Sequence, residues 1–222
     1  MKKRILFFLF LLTFLKGFSQ FSLKKFKDGY ALQNRDTVKC KIFSGLSVNP
    51  YEQVVIKYKD SKFEDATTYF AASIIRGYGF KEDTVMKEYR AFSRDKKGII
   101  NTKKEYIFGF IMAKGYFQLL EHTAEKVSRG GNAGGISFPA STRSVTQYYL
   151  FRPDNDSVFS VSSSGFLSSN IDEEMLKEIF KENVELVAGI KKKIKIQDLQ
   201  QYVNEYNAWY EKKKNKEKSI QQ

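Results

Sequence analysis

From residue 21 to about 166, apolar and polar residues mostly alternate, and the pattern predicts strands. Thr37-Val38-Lys39-Cys40-Lys41-Ile42 has a clean period of two. Asn34-Arg35-Asp36 separates it from Gly29-Tyr30-Ala31-Leu32, which is the signature of a hairpin with one face inward. Asn49-Pro50 punctuates the chain before a further strand, Val54-Val55-Ile56-Lys57-Tyr58. Residues 67–75 read either way, because Tyr69, Phe70, Ala71 and Ala72 suit a helical turn as well as a strand. Strands are also expected over residues 87–93, 105–112 and 116–122, with Gly109 and Gly115 marking bends, bulges or close backbone approaches. Residues 147–152 and 157–162 flank Pro153-Asp154-Asn155-Asp156, where proline presets φ and the Asx side chains bond their own backbone, giving a second hairpin. Between strands ending near Val127 and beginning near Thr146, Ser128-Arg129-Gly130-Gly131-Asn132-Ala133-Gly134-Gly135-Ile136-Ser137 reads as a mobile loop that extends towards Ser144.

The period changes after Ser168. Ile171, Met175, Ile179 and Phe180, then Val184, Val187 and Ala188, lie at helical spacing up to a stop at Gly189. Asn170 or Asp172 can cap this helix, and Asp172, Glu173 and Glu174 suit its positive N-terminal end. A second helix is expected from Gln197 to beyond Trp209, with Leu199, Tyr202, Val203, Tyr206 and Trp209 on one side. Beyond Tyr210 the stretch EKKKNKEKSIQQ has no apolar anchor and should fray or continue as a charged helix end. The expected architecture is α+β. A mainly antiparallel β part occupies residues 20–167, a C-terminal helical pair over 168–210 packs on it, and a charged flexible tail follows over 211–222.

The N-terminal residues follow neither period. Lys2, Lys3 and Arg4 precede an apolar run over residues 5–15, and Gly17 and Ser19 flank Phe18 as at the −3 and −1 subsites of a signal peptidase. About eleven apolar residues fall short of the roughly twenty that span a hydrocarbon core. Residues 1–19 therefore read as a cleavable secretory signal, with the bond after Ser19 favoured over that after Gln20 and an uncleaved anchor as the rival. No later apolar run has transmembrane length.

This address changes the charge. The 222-residue chain carries 38 Lys and Arg against 25 Asp and Glu, a formal +13. Its signal takes four basic residues with it, leaving 34 against 25, or +9. Lys191, Lys192, Lys193 and Lys195 form one basic cluster, and Lys212, Lys213, Lys214, Lys216 and Lys218 another. Such a surface suits anionic lipid or acidic glycan, which an exported protein meets more readily than nucleic acid; a solvated charged face is the plainer reading.

Cys40 is the sole cysteine, so an intramolecular disulfide and a cysteine-based zinc site are excluded. It is expected as a small buried strand residue, and it lies too far from the cleavage site to be a lipoprotein's acylated first residue. His122 is the sole histidine, so any Ser-His-Asp or Cys-His site must include it, and no G-x-S-x-G occurs. It is expected as a surface or half-buried strand residue. A multi-histidine metal site is excluded. Two-carboxylate chemistry could draw on Glu64-Asp65, Glu82-Asp83 or Asp172-Glu173-Glu174, though each has a turn or capping explanation. The glycine-rich stretch lacks the Gly-Lys-Ser/Thr ending of a phosphate loop. Arg129 and Arg143 flank it and could contact an anion, although flexibility accounts for it. Trp209 falls on a helix stripe, and the Tyr and Phe residues are spaced for a core. No catalytic, cofactor-binding or metal-binding residue is assigned, and no cofactor is expected.

The signal ending in FSQ, the segment DGYALQNRDTVKCKI and the C-terminal LKEIFKENVELVAGIKKKIKIQDLQQYVNEYN resemble small exported proteins of flavobacterium-like Gram-negative bacteria. Their GY…DT…GxI hairpin is matched by Gly29, Tyr30, Asp36, Thr37 and Ile42, with Cys40 where glycine is frequent. Tyr206-Asn207 resembles the end of their closing helix pair. The resemblance implies an exported α+β protein and supplies no catalytic residues. The leading expectation is a non-enzymatic binding or structural module, in the periplasm or at the outer surface, acting on envelope protein or on anionic glycan or lipid. A carboxylate-dependent hydrolase of envelope polymer and a peripheral binder of anionic membranes are the alternatives.

Overall fold

The computed structural model describes residues 26–34, 36–43, 49–58, 67–97, 102–128, 131–133, 136–138, 141–164 and 169–220. Residues 1–19, Glu64, Asp65 and Arg129 lie outside them. Ten strands form one antiparallel sheet: β1 (Phe26–Gln33), β2 (Asp36–Phe43), β3 (Gln53–Tyr58), β4 (Thr67–Ala71), β5 (Gly77–Glu82), β6 (Val85–Lys97), β7 (Thr102–Ala113), β8 (Gln118–Ser128), β11 (Ser141–Arg152) and β12 (Ser157–Ser160). Two short pairs stand apart from it, β9 (Gly131–Ala133) with β10 (Ile136–Phe138) and β13 (Ser162–Ser164) with β14 (Ser169–Ile171). Helices α1 (Glu173–Ile179), α2 (Val184–Gly189) and α3 (Ile196–Ile220) close the chain. The fold is the expected α+β, and no helix of the described residues is long and apolar enough to cross a membrane.

The sheet is two meanders joined edge to edge. Its order β12-β11-β8-β7-β6-β5-β1-β2-β3-β4 follows the chain from β1 to β4 and from β5 outward, and β1 pairs with β5 at the seam. The β1–β2 hairpin turns at Asn34, and the β11–β12 hairpin turns at Asp156. Both hold positive φ, which short Asx side chains tolerate. The open reading of residues 67–75 resolves into strand β4 followed by a turn that buries Ala72 and Ile75.

Two expectations are corrected. The glycine-rich stretch is not one mobile loop: the β8–β11 ladder runs without a shift to Ser128↔Ser141, and β9–β10 pair within it. Regular pairing of the flanking strands carries the backbone further than its Gly and Ser composition indicates. The helix expected up to Gly189 is two helices. Phe180 turns into the core with no exposed surface, and Asn183 starts α2 anew, its Oδ1 accepting from Leu186 N at 3.2 Å. Beyond Tyr210 the chain continues as the charged end of α3.

Strong curvature positions everything else. Three strand spacings, about 14 Å in a flat sheet, would separate β6 from β11. Instead the rings of Phe92 and Tyr149 lie 4.9 Å apart, so the sheet curls with this face inward. Phe92, Ile107, Leu120, Tyr149 and Phe151 fill the concave face. On the opposite face, Ala31, Ile42, Ile56, Tyr78 and Phe108 pack at the β1–β5 end. Leu119, Leu150, Phe117 and Phe180 take the helices at the other, against Leu199, Tyr202, Val203 and Tyr206 of α3.

Candidate functional site

A polar group lies where β7 and β8 separate. Asn49 forms an Asx turn, its Oδ1 accepting from Tyr51 N at 3.1 Å, and Tyr78 Oη donates to Pro50 O at 2.7 Å. The Asn49-Pro50 punctuation thus presents Tyr51 to the sheet. Tyr51 O accepts from Phe108 N at 2.8 Å, its ring meets the His122 ring edge-on at 5.3 Å, and its hydroxyl donates to Glu121 Oε1 at 3.2 Å. His122 Nδ1 donates to Phe108 O at 3.0 Å, which fixes the neutral tautomer with its proton on Nδ1. On the concave side Arg94 donates to Glu105 Oε2 at 2.8 Å, to Gln147 Oε1 at 2.7 Å and to Tyr149 Oη at 2.8 Å, tying β6 to β11.

His122 is 2 % exposed, contrary to the surface or half-buried position expected of it. The sheet split draws its ring inside. Burial is the main force on its titration, and with the nearby Arg94 charge it outweighs the bond to Phe108 O, lowering the pKa to about 4. Among the described residues no serine or cysteine hydroxyl or thiol bonds to the ring. Cys40 is buried as expected, and burial pushes its thiol up to about 11, away from the thiolate that a nucleophile needs.

The described members of the acidic clusters take part in ion pairs, turns and caps. Glu82 is gripped by Lys27 and Lys87, which hold its carboxyl down to about 2, and Asp83 takes the positive-φ turn before β6. Asp172 caps α1, accepting from Met175 N at 3.0 Å, while Glu173 pairs with Lys177 at 2.5 Å. Burial pushes the Glu88 carboxyl up, but Lys114 and Tyr30 outweigh it and leave it lowered. The shifted carboxyl groups among the described residues (Glu82, Glu88, Asp154 and Asp198) all move down. A glycosidase acid needs the opposite shift. No group of three or more His, Cys, Asp or Glu side chains among the described residues is placed to hold a metal.

The two basic clusters do not form one patch. Lys191 pairs with Asp198 at 3.1 Å beside the start of α3, with Lys192, Lys193 and Lys195 exposed around it. The axis of α3 between residues 196 and 212 spans about 24 Å, so the second cluster lies at the far end. There, residues 211–219 are exposed throughout and carry five lysines against two glutamates. Of those lysines only Lys213 meets a described carboxylate, Glu182 at 2.9 Å, with its ammonium 5.2 Å from the Trp209 ring. Arg143 sits on β11 at the register position opposite Lys126.

Asn207 anchors α3. Its Oδ1 accepts from Phe117 N at 2.9 Å, and its Nδ2 donates to Phe117 O at 2.9 Å and Lys114 O at 3.1 Å. Gly115, at φ +150, lets the β7–β8 turn close on this amide; a Cβ there would lie 2.5 Å from Asn207 Cγ. The Tyr206-Asn207 pair noticed in the sequence is therefore a buried ring and a latch. Nothing in the sequence pointed to Arg94 or Tyr51, whose partners lie 55 and 70 residues away.

No protein-family model, curated protein or solved structure matches this chain.

Proposed function

We propose that this chain is an exported, non-enzymatic module of the cell envelope that attaches to anionic surfaces through the outer half of α3. The signal-like N-terminus and the resemblance of both chain ends to exported proteins support export. The observation that carries the attachment is the helical end over residues 211–219, exposed on every side with four lysines that no described carboxylate neutralises.

The sequence of this end decides the mode of contact. Lysines fall around the helix and no apolar stripe accompanies them, so insertion among acyl chains is disfavoured and attraction is electrostatic. Each lysine near an anionic bilayer contributes about 1 kcal/mol, so four give at most about 4 kcal/mol before the opposing charges of Glu211 and Glu217, and the dissociation constant is no tighter than roughly 1 mM. Attachment is then reversible and depends on a dense anionic surface.

The test is cosedimentation of residues 20–222 with vesicles of phosphatidylglycerol in phosphatidylcholine. Binding is expected at low ionic strength and lost at about 0.5 M salt, where screening shortens the reach of surface charges. The combined variant Lys212→Glu, Lys214→Glu, Lys216→Glu and Lys218→Glu should not sediment. Retention of that variant, or binding that survives high salt, contradicts the proposal.

A further inference from the structure

Strand β6 turns three alternate side chains towards the concave face, Arg90, Phe92 and Arg94. The two arginines bracket one aromatic residue but end differently. Arg94 is fully engaged by Glu105, Gln147 and Tyr149. Arg90 lies against the ring of Phe151, its Cζ 5.1 Å from the centroid, and among the described residues no hydrogen bond or ion pair holds its guanidinium. Arg76 and Arg152, by contrast, each have an acceptor: Arg76 Nη1 donates to Asn34 O at 3.3 Å, and Arg152 Nη2 to Asp154 Oδ2 at 2.7 Å.

The register explains why nothing answers Arg90. A sheet supplies the acceptor for a cation from the residue directly opposite, as Glu105 does for Arg94. Opposite Arg90 stand Gly77 of β5 and Gly109 of β7, so neither neighbouring strand offers a side chain. Beyond the glycines lie Leu32 and Leu120, both apolar. Asp156, in the β11–β12 turn, makes no ion pair with Arg90.

The guanidinium is nonetheless half-buried. Burial, joined by the Arg76 charge and opposed by Asp156, lowers its pKa. Arg76 stands across the β5–β6 ladder, its carbonyl accepting from Ala91 N at 2.9 Å. A cation withdrawn from water without a counter-charge costs stability, and such departures concentrate at functional sites.

We propose that Arg90 is the binding half of an oxyanion site on the concave face, where a carboxylate or phosphate group accepts from its guanidinium fork beside Phe151 and Arg76 adds a second positive charge. Both anions present two oxygens to such a fork. An acidic glycan supplies the first and a phospholipid headgroup the second. The helices pack on the opposite face, and the site does not rest on the role proposed for α3.

Thermal unfolding of residues 20–222 tests this, with inorganic phosphate or acetate replacing chloride at constant ionic strength. At least one of the two should raise the melting temperature progressively with concentration, and the more effective one names the source. Arg90→Met keeps an apolar stem over Phe151. It should melt no lower than the wild type in chloride, because an unpaired charge is removed, and it should lose the response to the anion. Titration calorimetry should show its binding weakened at least about tenfold, the loss of a charge-assisted contact. Asp156→Asn, an exposed change at a positive φ that asparagine accepts, should tighten binding by removing a repelling carboxylate. The four-lysine reversal in α3 should leave the response unchanged. A wild type indifferent to both anions, a response that Arg90→Met retains, or one that the four-lysine reversal abolishes would each overturn the site. So would an Arg90→Met that melts well below the wild type in chloride, or an Asp156→Asn that binds no tighter.

Discussion

Lowering the pH from 7 to 4.5 should cost the fold about 2 kcal/mol, nearly all of it through His122. The ring is buried, it donates from Nδ1 to Phe108 O, and its folded pKa of about 4 lies below the ordinary 6.5. Between those values the unfolded chain binds more protons than the folded one, so stability rises with pH. The contribution is fully present above about pH 6.5, declines as pH falls and stops changing below about pH 4. Glu82, the most strongly lowered carboxylate, loses its contribution between its ordinary 4.5 and about 2, outside this window. Urea midpoints measured between pH 7 and 4.5 should therefore fall in the wild type. In His122→Asn, which can still donate to Phe108 O without an ionisable ring, they should stay nearly flat. A wild-type midpoint that does not move would mean that the ring is solvated.

Loss of the Asn207 latch should be the most damaging single polar substitution. Asn207→Leu leaves Phe117 N, Phe117 O and Lys114 O without their partner beneath α3. A buried unsatisfied group costs about 1–3 kcal/mol, so three cost about 3–9 kcal/mol, which lowers the melting temperature of a chain of this size by at least about 6 °C. Asn207→Asp separates hydrogen bonding from volume, because a carboxylate keeps the acceptor for Phe117 N but turns its second oxygen towards two carbonyls. It should destabilise comparably despite its matching shape. Gly115→Ala should also destabilise, since the positive φ and the 2.5 Å approach to Asn207 Cγ both oppose a Cβ. Thermal unfolding by circular dichroism reads all three, and a loss below about 1 kcal/mol for Asn207→Leu would remove the latch from the account.

The same residues show what could be read from sequence. Hairpins at Asn34 and Asp156 announced themselves through local turn chemistry, and the α3 stripe of Leu199, Tyr202, Val203 and Tyr206 through its period. Strand β5 was missed: Gly77 and Gly79 alternate with the strand formers Tyr78 and Phe80 and so break the apolar–polar period, yet all four residues are buried. Asn183 hid a helix break inside a helical spacing, because the apolar residues on either side keep their face across the cap. The polar group at the split was beyond reach for another reason. Tyr51, Arg94, His122 and Tyr149 come from four segments, and only the curl of the sheet and the short β7–β8 ladder assemble them. Basic clusters, by contrast, are visible in any sequence; their separation along α3 is not.

The proposed role stands on export followed by electrostatic attachment, and one measurement joins both. Cells producing the chain are fractionated, the envelope is washed with about 0.5 M salt, and the protein in the wash is weighed by mass spectrometry. The account predicts a released species beginning at Gln20, absent from a low-salt wash. An intact chain beginning at Met1 in the cytosolic fraction, or a processed chain that salt fails to release, would contradict it.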